Sequence, residues 1–151
     1  MFTHKTTSNE QAKRLAFLFA KEIIKSKFSK KSALIIALSG NLGSGKTTFV
    51  QGFLRGAGIK KKITSPTFVL IKTYKLTNLK TYKLIHHIDC YRIKNAKELF
   101  NLGLEKILSN SKNIVLIEWP GIIKKYLPKS AIWIKFKYGR KESERIIKIS
   151  E

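Results

Sequence analysis

Gly40, Gly45, Lys46 and Thr47 stand in the spacing GxxxxGKT, within the run Gly40–Thr48 that reads GNLGSGKTT. A run of this kind suits one chemistry. Its glycines let successive backbone amides turn inward around a phosphate chain, and a helix that begins near Gly45 aims its positive end at the same point. Lys46 is then placed to neutralise the β- and γ-phosphates of a nucleotide, and the Thr47 hydroxyl to ligate magnesium. The candidate phosphate-binding residues are Asn41, Leu42, Gly43, Ser44, Gly45, Lys46, Thr47 and Thr48. The competing reading is a glycine-rich turn with a chance lysine. Context weighs against it, because an apolar run precedes the loop and a helical stripe follows it.

A magnesium site also needs carboxylates, and Asp89 is the only aspartate in the chain. It follows the strand-like run Lys83–Ile88, and a period of two puts His87, Asp89 and Tyr91 on one face with His86, Ile88 and Cys90 on the other. That position suits a direct or water-mediated magnesium ligand; the alternative is a cap or turn residue before Asn95. His86 and His87 fall on opposite faces and cannot share a metal, so zinc has little support. Glu118 ends the apolar run Asn113–Ile117, where open α/β sheets bind ligands beyond their strand tips. It is the candidate for orienting an attacking water, against the alternative of a solvated charge. Thr67 follows the stiff Ser65-Pro66 pair and could reach a metal or γ-phosphate as a switch threonine does, or simply begin a strand. The candidate magnesium ligands are thus Thr47, Asp89 and Glu118, and the candidate catalytic groups Lys46, Thr67 and Glu118. Trp119 and Trp133 read as packing residues.

The elements that must position these groups show in the hydrophobic pattern. Thr7 and Glu10 have capping-box spacing, and Leu15, Leu18, Phe19 and Ile23 recur at helical intervals, predicting a helix over Asn9–Lys27 with Lys25 and Lys27 at its negative end. Ala33–Leu38 predicts a strand covered on both faces. Phe49, Val50, Phe53, Leu54 and Ala57 trace a second helix from Lys46, stopped by Gly56 and Gly58. Phe68–Leu76 and Thr81–Asp89, joined by Thr77–Lys80, predict a hairpin. Two short helical turns broken at Gly103 follow, then a buried strand over Ile114–Ile117 and a short helix over Gly121–Tyr126. Ile132–Tyr138 and Arg145–Ile149 predict a terminal hairpin. The expected architecture is α/β, with a parallel core sheet flanked by antiparallel strands and helices on both faces.

The length of 151 residues fits one domain over 1–151, with a single hydrophobic nucleus expected. The polar opening Met1–Glu10 has no apolar signal core, and no apolar run is long enough to span a bilayer, so a cytoplasmic protein without membrane attachment is expected. Cys90, the only cysteine, excludes an intramolecular disulfide and reads as a half-buried strand residue. The formal charge of +22 invites a nucleic-acid hypothesis. Of the 31 basic residues, however, 26 are Lys, spread over nearly every segment beside 20 Ile, which reads as a drift in amino-acid usage more than as a designed binding face. The runs Lys30-Lys31, Lys60–Lys62 and Lys124-Lys125 are where a polyanion would be attracted at low salt.

In order along the chain, GNLGSGKTT at 40–48, SPTF at 65–68, HIDCYR at 87–92, LGL at 102–104 and EWP at 118–120 resemble the TsaE (YjeE) family of bacterial ATPases in tRNA threonylcarbamoyladenosine biosynthesis. The resemblance implies a P-loop fold binding ATP and Mg2+, with weak hydrolysis that depends on partners. It implies that Lys46 and Thr47 act in the nucleotide loop, Asp89 as a magnesium-linked aspartate, Glu118 in hydrolysis and Thr67 in a mobile segment. It also implies TsaB and TsaD as partners that perform the transfer themselves, with tRNA reached through that complex. Two other functions fit the loop or the charge. A small-molecule kinase would need an arginine-rich lid, whereas Arg14, Arg55, Arg92, Arg140 and Arg145 are isolated in sequence. A non-catalytic nucleic-acid module would need the charge gathered into one patch with stacking aromatics.

Overall fold

A computed structural model describes residues 2–26, 31–77 and 79–150. Lys27, Lys30 and Asn78, used in the sequence expectations, lie outside the described residues. The elements run β1 (Phe2–Thr6), α1 (Asn9–Lys25), β2 (Leu34–Ser39), α2 (Lys46–Gly56), β3 (Ile71–Lys75), β4 (Leu84–Asp89), α3 (Lys97–Asn101), α4 (Leu104–Ser109), β5 (Asn113–Glu118), a 3-10 helix (Pro120–Tyr126), β6 (Ile132–Tyr138) and β7 (Arg145–Ser150). The strands form one sheet in the order β1-β7-β6-β2-β5-β4-β3. Strands β4, β5, β2 and β6 are mutually parallel, and β3, β7 and β1 add antiparallel edges. This is the expected α/β architecture. No helix among the described residues is long and apolar enough to cross a membrane.

The expected single nucleus is instead two, because the sheet separates them. Leu34, Ile36 and Leu38 of β2 join Phe49 and Phe53 of α2 on one face, while Ile35, Val115 and Ile117 join Leu99 and Leu104 on the other. Continuous apolar runs in β2 and β5 feed both clusters, as strands covered on two sides must.

Helix α1 differs from expectation in its cap and in its buried face. Ser8, in extended conformation, is the N-cap and accepts from the Gln11 N–H at 3.2 Å, while the Gln11 side chain accepts from the Thr7 N–H at 2.8 Å. The capping pair is therefore displaced by one residue from Thr7 and Glu10. Its fully buried stripe is Ala12, Ala16, Ala20 and Ile23; of the expected positions Leu15 and Phe19 pack partly buried against the same core, whereas Leu18 is 47% exposed. The cause is α2. A Cβ on Gly52 would lie 2.3 Å from the Lys13 carbonyl oxygen, and one on Gly56 2.4 Å from that of Phe17. At these two points the helices approach so closely that glycine on α2 faces alanine and bare backbone on α1, while Phe19 fills the space toward Phe49 and Phe53. Gly56 is thus a contact residue inside α2, and Gly58 alone, at φ +91, supplies the stop.

Two further differences concern strands. Phe68–Leu70 is not part of the hairpin strand, since the Val69 and Leu70 N–H groups turn back onto the Pro66 carbonyl. Strand β1 was not expected. It is an edge strand in which only Thr6 is buried, so it carries no apolar alternation.

Candidate functional site

Three parallel strands end side by side, with Asp89 opposite Glu118 in the β4–β5 register and Glu118 opposite Leu38 in the β5–β2 register. The glycine loop leaves β2 at this same edge and returns as α2, so chain topology alone brings Lys46, Thr47, Asp89 and Glu118 to one cleft of about 410 Å³. Gly40, at φ +150, passes so near β6 that a Cβ would meet the Phe136 carbonyl oxygen at 2.6 Å. Gly45, at φ +100, begins α2 without a side-chain cap, so the first amides of that helix keep their donors for another acceptor.

The Lys46 ammonium, itself buried, donates to the carbonyls of Gly40 at 2.8 Å and Asn41 at 2.9 Å and lies 3.8 Å from the Trp119 ring centre. Burial pushes its pKa down from the usual lysine value, and the charges of Glu118 and Asp89 act against that shift. Glu118, 2% exposed, accepts from the Thr47 hydroxyl at 2.9 Å through Oε2 and from His87 Nε2 at 2.8 Å through Oε1. Asp89, 4% exposed, accepts from the Thr67 hydroxyl at 2.7 Å and the Ser65 hydroxyl at 3.1 Å through Oδ2, and from the Tyr91 N–H at 2.9 Å through Oδ1. Glu118 is thus not a solvated strand-end charge, whereas Asp89, through its bond from the Tyr91 N–H two residues on, also serves as a turn residue at the end of its strand.

The arrangement therefore gathers the five candidates Lys46, Thr47, Thr67, Asp89 and Glu118. Leu42, Gly43, Gly45 and Thr48 also line the cleft, and the Ser44 hydroxyl is buried without a hydrogen-bond partner. The uncapped amides at the start of α2, one ammonium and an orphaned hydroxyl fit a phosphate chain. Hydroxyl and carboxylate oxygens fit a hard divalent cation; with no group of three His, Cys, Asp or Glu among the described residues able to hold a metal, phosphate and water oxygens would complete its shell.

Other residues in or behind the cleft escaped the sequence expectations. His87 is wholly buried against Glu118; its alternation with Asp89 was the available signal. Trp119 does pack on the sheet's second cluster but also faces Lys46 and lies 4.9 Å from the Tyr91 ring. Its left-handed backbone, φ 57, is a conformation a bulky residue keeps only where its surroundings impose it. Arg145 donates to the Gly43 carbonyl at 3.3 Å, and Tyr138 donates to that of Leu42. Nothing local in the sequence indicates that the terminal hairpin braces the glycine loop. Cys90 is buried rather than half-buried, with burial and the Asp89 charge pushing its thiol up to about 12.

The family model described as "Threonylcarbamoyl adenosine biosynthesis protein TsaE" matches residues 6–147. The chain is 39% identical over 125 residues to the tRNA threonylcarbamoyladenosine biosynthesis protein TsaE of Rickettsia conorii, a match covering 82% of this chain and 64% of that protein. To the protein of the same name from Bacillus subtilis it is 34% identical over 142 residues, covering 94% and 81%. The crystal structure of Bacillus subtilis YdiB superposes with a TM-score of 0.68 at 29% identity, over 97% of this chain and 82% of that one. With a family model matched across nearly its whole length and relatives above one-third identity, the chain belongs to the TsaE family of threonylcarbamoyladenosine biosynthesis proteins.

Proposed function

We propose that the chain is a cytoplasmic, magnesium-dependent ATPase that serves tRNA threonylcarbamoyladenosine modification through TsaB- and TsaD-like partners rather than transferring the group itself. The observation that carries this reading is the convergence of Lys46, Thr47, Asp89 and Glu118 where the glycine loop meets three parallel strand ends. Bound magnesium would supply charge neutralisation on the β- and γ-phosphates. Thr47 and Asp89 are the residues to hold it, with Glu118 close enough to share that role. Lys46 supplies the fixed cation for the phosphate chain, and the free amides at the start of α2 supply aligned dipoles.

Glu118 is the group to orient water and accept its proton, and His87 holds it there from a position closed to solvent. Ser65 and Thr67 tie their loop to Asp89, so a change at Asp89 is felt in the segment carrying Phe68, 83% exposed, and Val69, 58% exposed. Those exposed apolar side chains give partner proteins a surface that reports the state of the cleft. The kinase alternative gains nothing from the geometry. Only Arg145 of the five arginines lines the cleft, while the Arg92 guanidinium lies over the Phe68 ring.

The test is to mix the chain with TsaB and TsaD proteins and ATP, and to follow association and phosphate release. Both should depend on ATP, Lys46→Ala should lose both, and Glu118→Gln should keep association and lose turnover. Turnover unaffected by either substitution refutes the reading.

A further inference from the structure

A second cavity, of about 730 Å³, shares no lining residue with the cleft. It is a groove between α1, the second half of α2 and the loop 59–63. Five cations line it, Lys13, Arg14, Arg55, Lys60 and Lys62, against one acid, Glu10. The ion pairs found among the described residues are Lys5–Glu144 and His87–Glu118, so no carboxylate contact neutralises these cations there. We propose that this groove is a contact surface for the phosphodiester backbone of a folded RNA. The proposal goes beyond the ATPase reading and does not depend on it.

Its walls are held in place. Arg55 donates to the carbonyls of Lys60 at 2.7 Å and Ile59 at 3.4 Å, and the Gln51 amide donates to that of Ile63 at 3.3 Å. The loop is thereby fastened across α2, with Lys60 and Lys62 exposed opposite Lys13 and Arg14. Gly52 leaves the wall between them without a side chain, for the helix-packing reason given above. Charge spread along both sides of an open trough matches a repeating polyanion. Phe17, half-buried in the same groove, has the Arg14 guanidinium at 5.7 Å and the Lys21 ammonium at 5.1 Å from its ring, which places an aromatic face among cations where an unpaired base could stack. Two of the chain's five arginines lie here, although the basic residues as a whole are dominated by scattered lysine. An acidic protein would require apolar anchor sites, and Phe17 and the nearly covered Ile63 offer little of that kind. The loop also continues directly into Thr64 and Ser65, so the groove and Asp89 are joined by a few residues of chain.

The experiment measures binding of fluorescent, unmodified tRNA and of polyglutamate to the full chain across a salt series. The groove triple Lys13→Glu/Lys60→Glu/Lys62→Glu is compared with Lys97→Glu/Lys106→Glu/Lys112→Glu, an equal charge change on exposed residues around the other face of the sheet. The groove triple should weaken tRNA binding at least about tenfold and flatten the salt slope by roughly two to three, since each phosphate that is no longer neutralised lowers the slope by about 0.7 to 0.9. The control triple should change affinity by less than about threefold. The milder pair Lys60→Gln/Lys62→Gln alters only the exposed loop and should shift affinity in the same direction, with ATP binding retained. Equal losses in both triples would show diffuse charge attraction and overturn the proposal. So would a groove triple, or a mild pair, that keeps tRNA binding, including the case where polyglutamate binding alone is lost.

Discussion

Replacing His87 by leucine removes the buried donor to Glu118 while roughly keeping side-chain volume. A carboxylate only accepts, so His87 Nε2 carries the hydrogen in this 2.8 Å contact; His87 Nδ1 is buried without a partner, which suits a bare acceptor better than a second orphaned donor. A hydrogen bond to a charged group contributes about 1.5–3 kcal/mol, and both side chains are at most 3% exposed, so solvent gives little substitute. If that energy serves to keep Glu118 oriented, kcat falls by roughly 10- to 100-fold, each 1.36 kcal/mol being tenfold. Glu118 keeps its bond to Thr47, and ATP affinity should change by less than about threefold. The assay is steady-state phosphate release with the partner proteins present, beside urea unfolding to confirm a folded variant. His87→Gln, which retains a donor near the Nε2 position, should recover most of the rate. A folded His87→Leu protein with unchanged kcat, or one changed only in KM, refutes a positioning role.

Gly52→Ala should destabilise by about 1–3 kcal/mol, because overpacking against the Lys13 backbone outweighs a helix-propensity gain of about 1 kcal/mol; an equal or higher urea midpoint contradicts the close helix contact. Cys90, with its thiol pushed up to about 12 from an ordinary 9.0, should alkylate roughly a thousandfold more slowly at pH 8 than in the unfolded chain, and tenfold faster per pH unit as pH rises toward 12. Rapid labelling in native buffer would contradict that burial. Thr67→Val removes the shorter of the two hydroxyl bonds to Asp89 and should speed hydrogen exchange across 64–70 by about tenfold, the loss of a charge-assisted bond, with global stability changed by less than about 1 kcal/mol. Exchange unchanged there would break the proposed link between Asp89 and its loop.

The cleft was readable in the chain because its parts sit at strand ends and in one loop whose glycine spacing is itself a local signal. Lys46 and Thr47 follow the glycines, while Asp89 and Glu118 close apolar runs, and a parallel sheet brings such ends together whatever the surface contains. What local pattern could not show depends on partners distant in sequence. The alanine stripe of α1 buries because Gly52 and Gly56 pull α2 inward, which overrode the larger Leu18. Strand β1 exists because β7 offers an edge, and its exposed residues left no periodic trace. Arg145 and Tyr138 reach the glycine loop only through the curl of the terminal hairpin. Strand alternation placed His87 beside Asp89, but the hydrogen bond to Glu118 on the neighbouring strand required the β4–β5 register.

Titration calorimetry of the folded chain with ATP, with and without magnesium, addresses the central claim most directly. Saturable heat, tighter binding with magnesium, loss of both in Lys46→Ala and loss of the magnesium effect in Asp89→Asn are the predicted results. No heat with adenine nucleotides, or binding indifferent to Lys46, would contradict the account of the glycine loop as a triphosphate cradle.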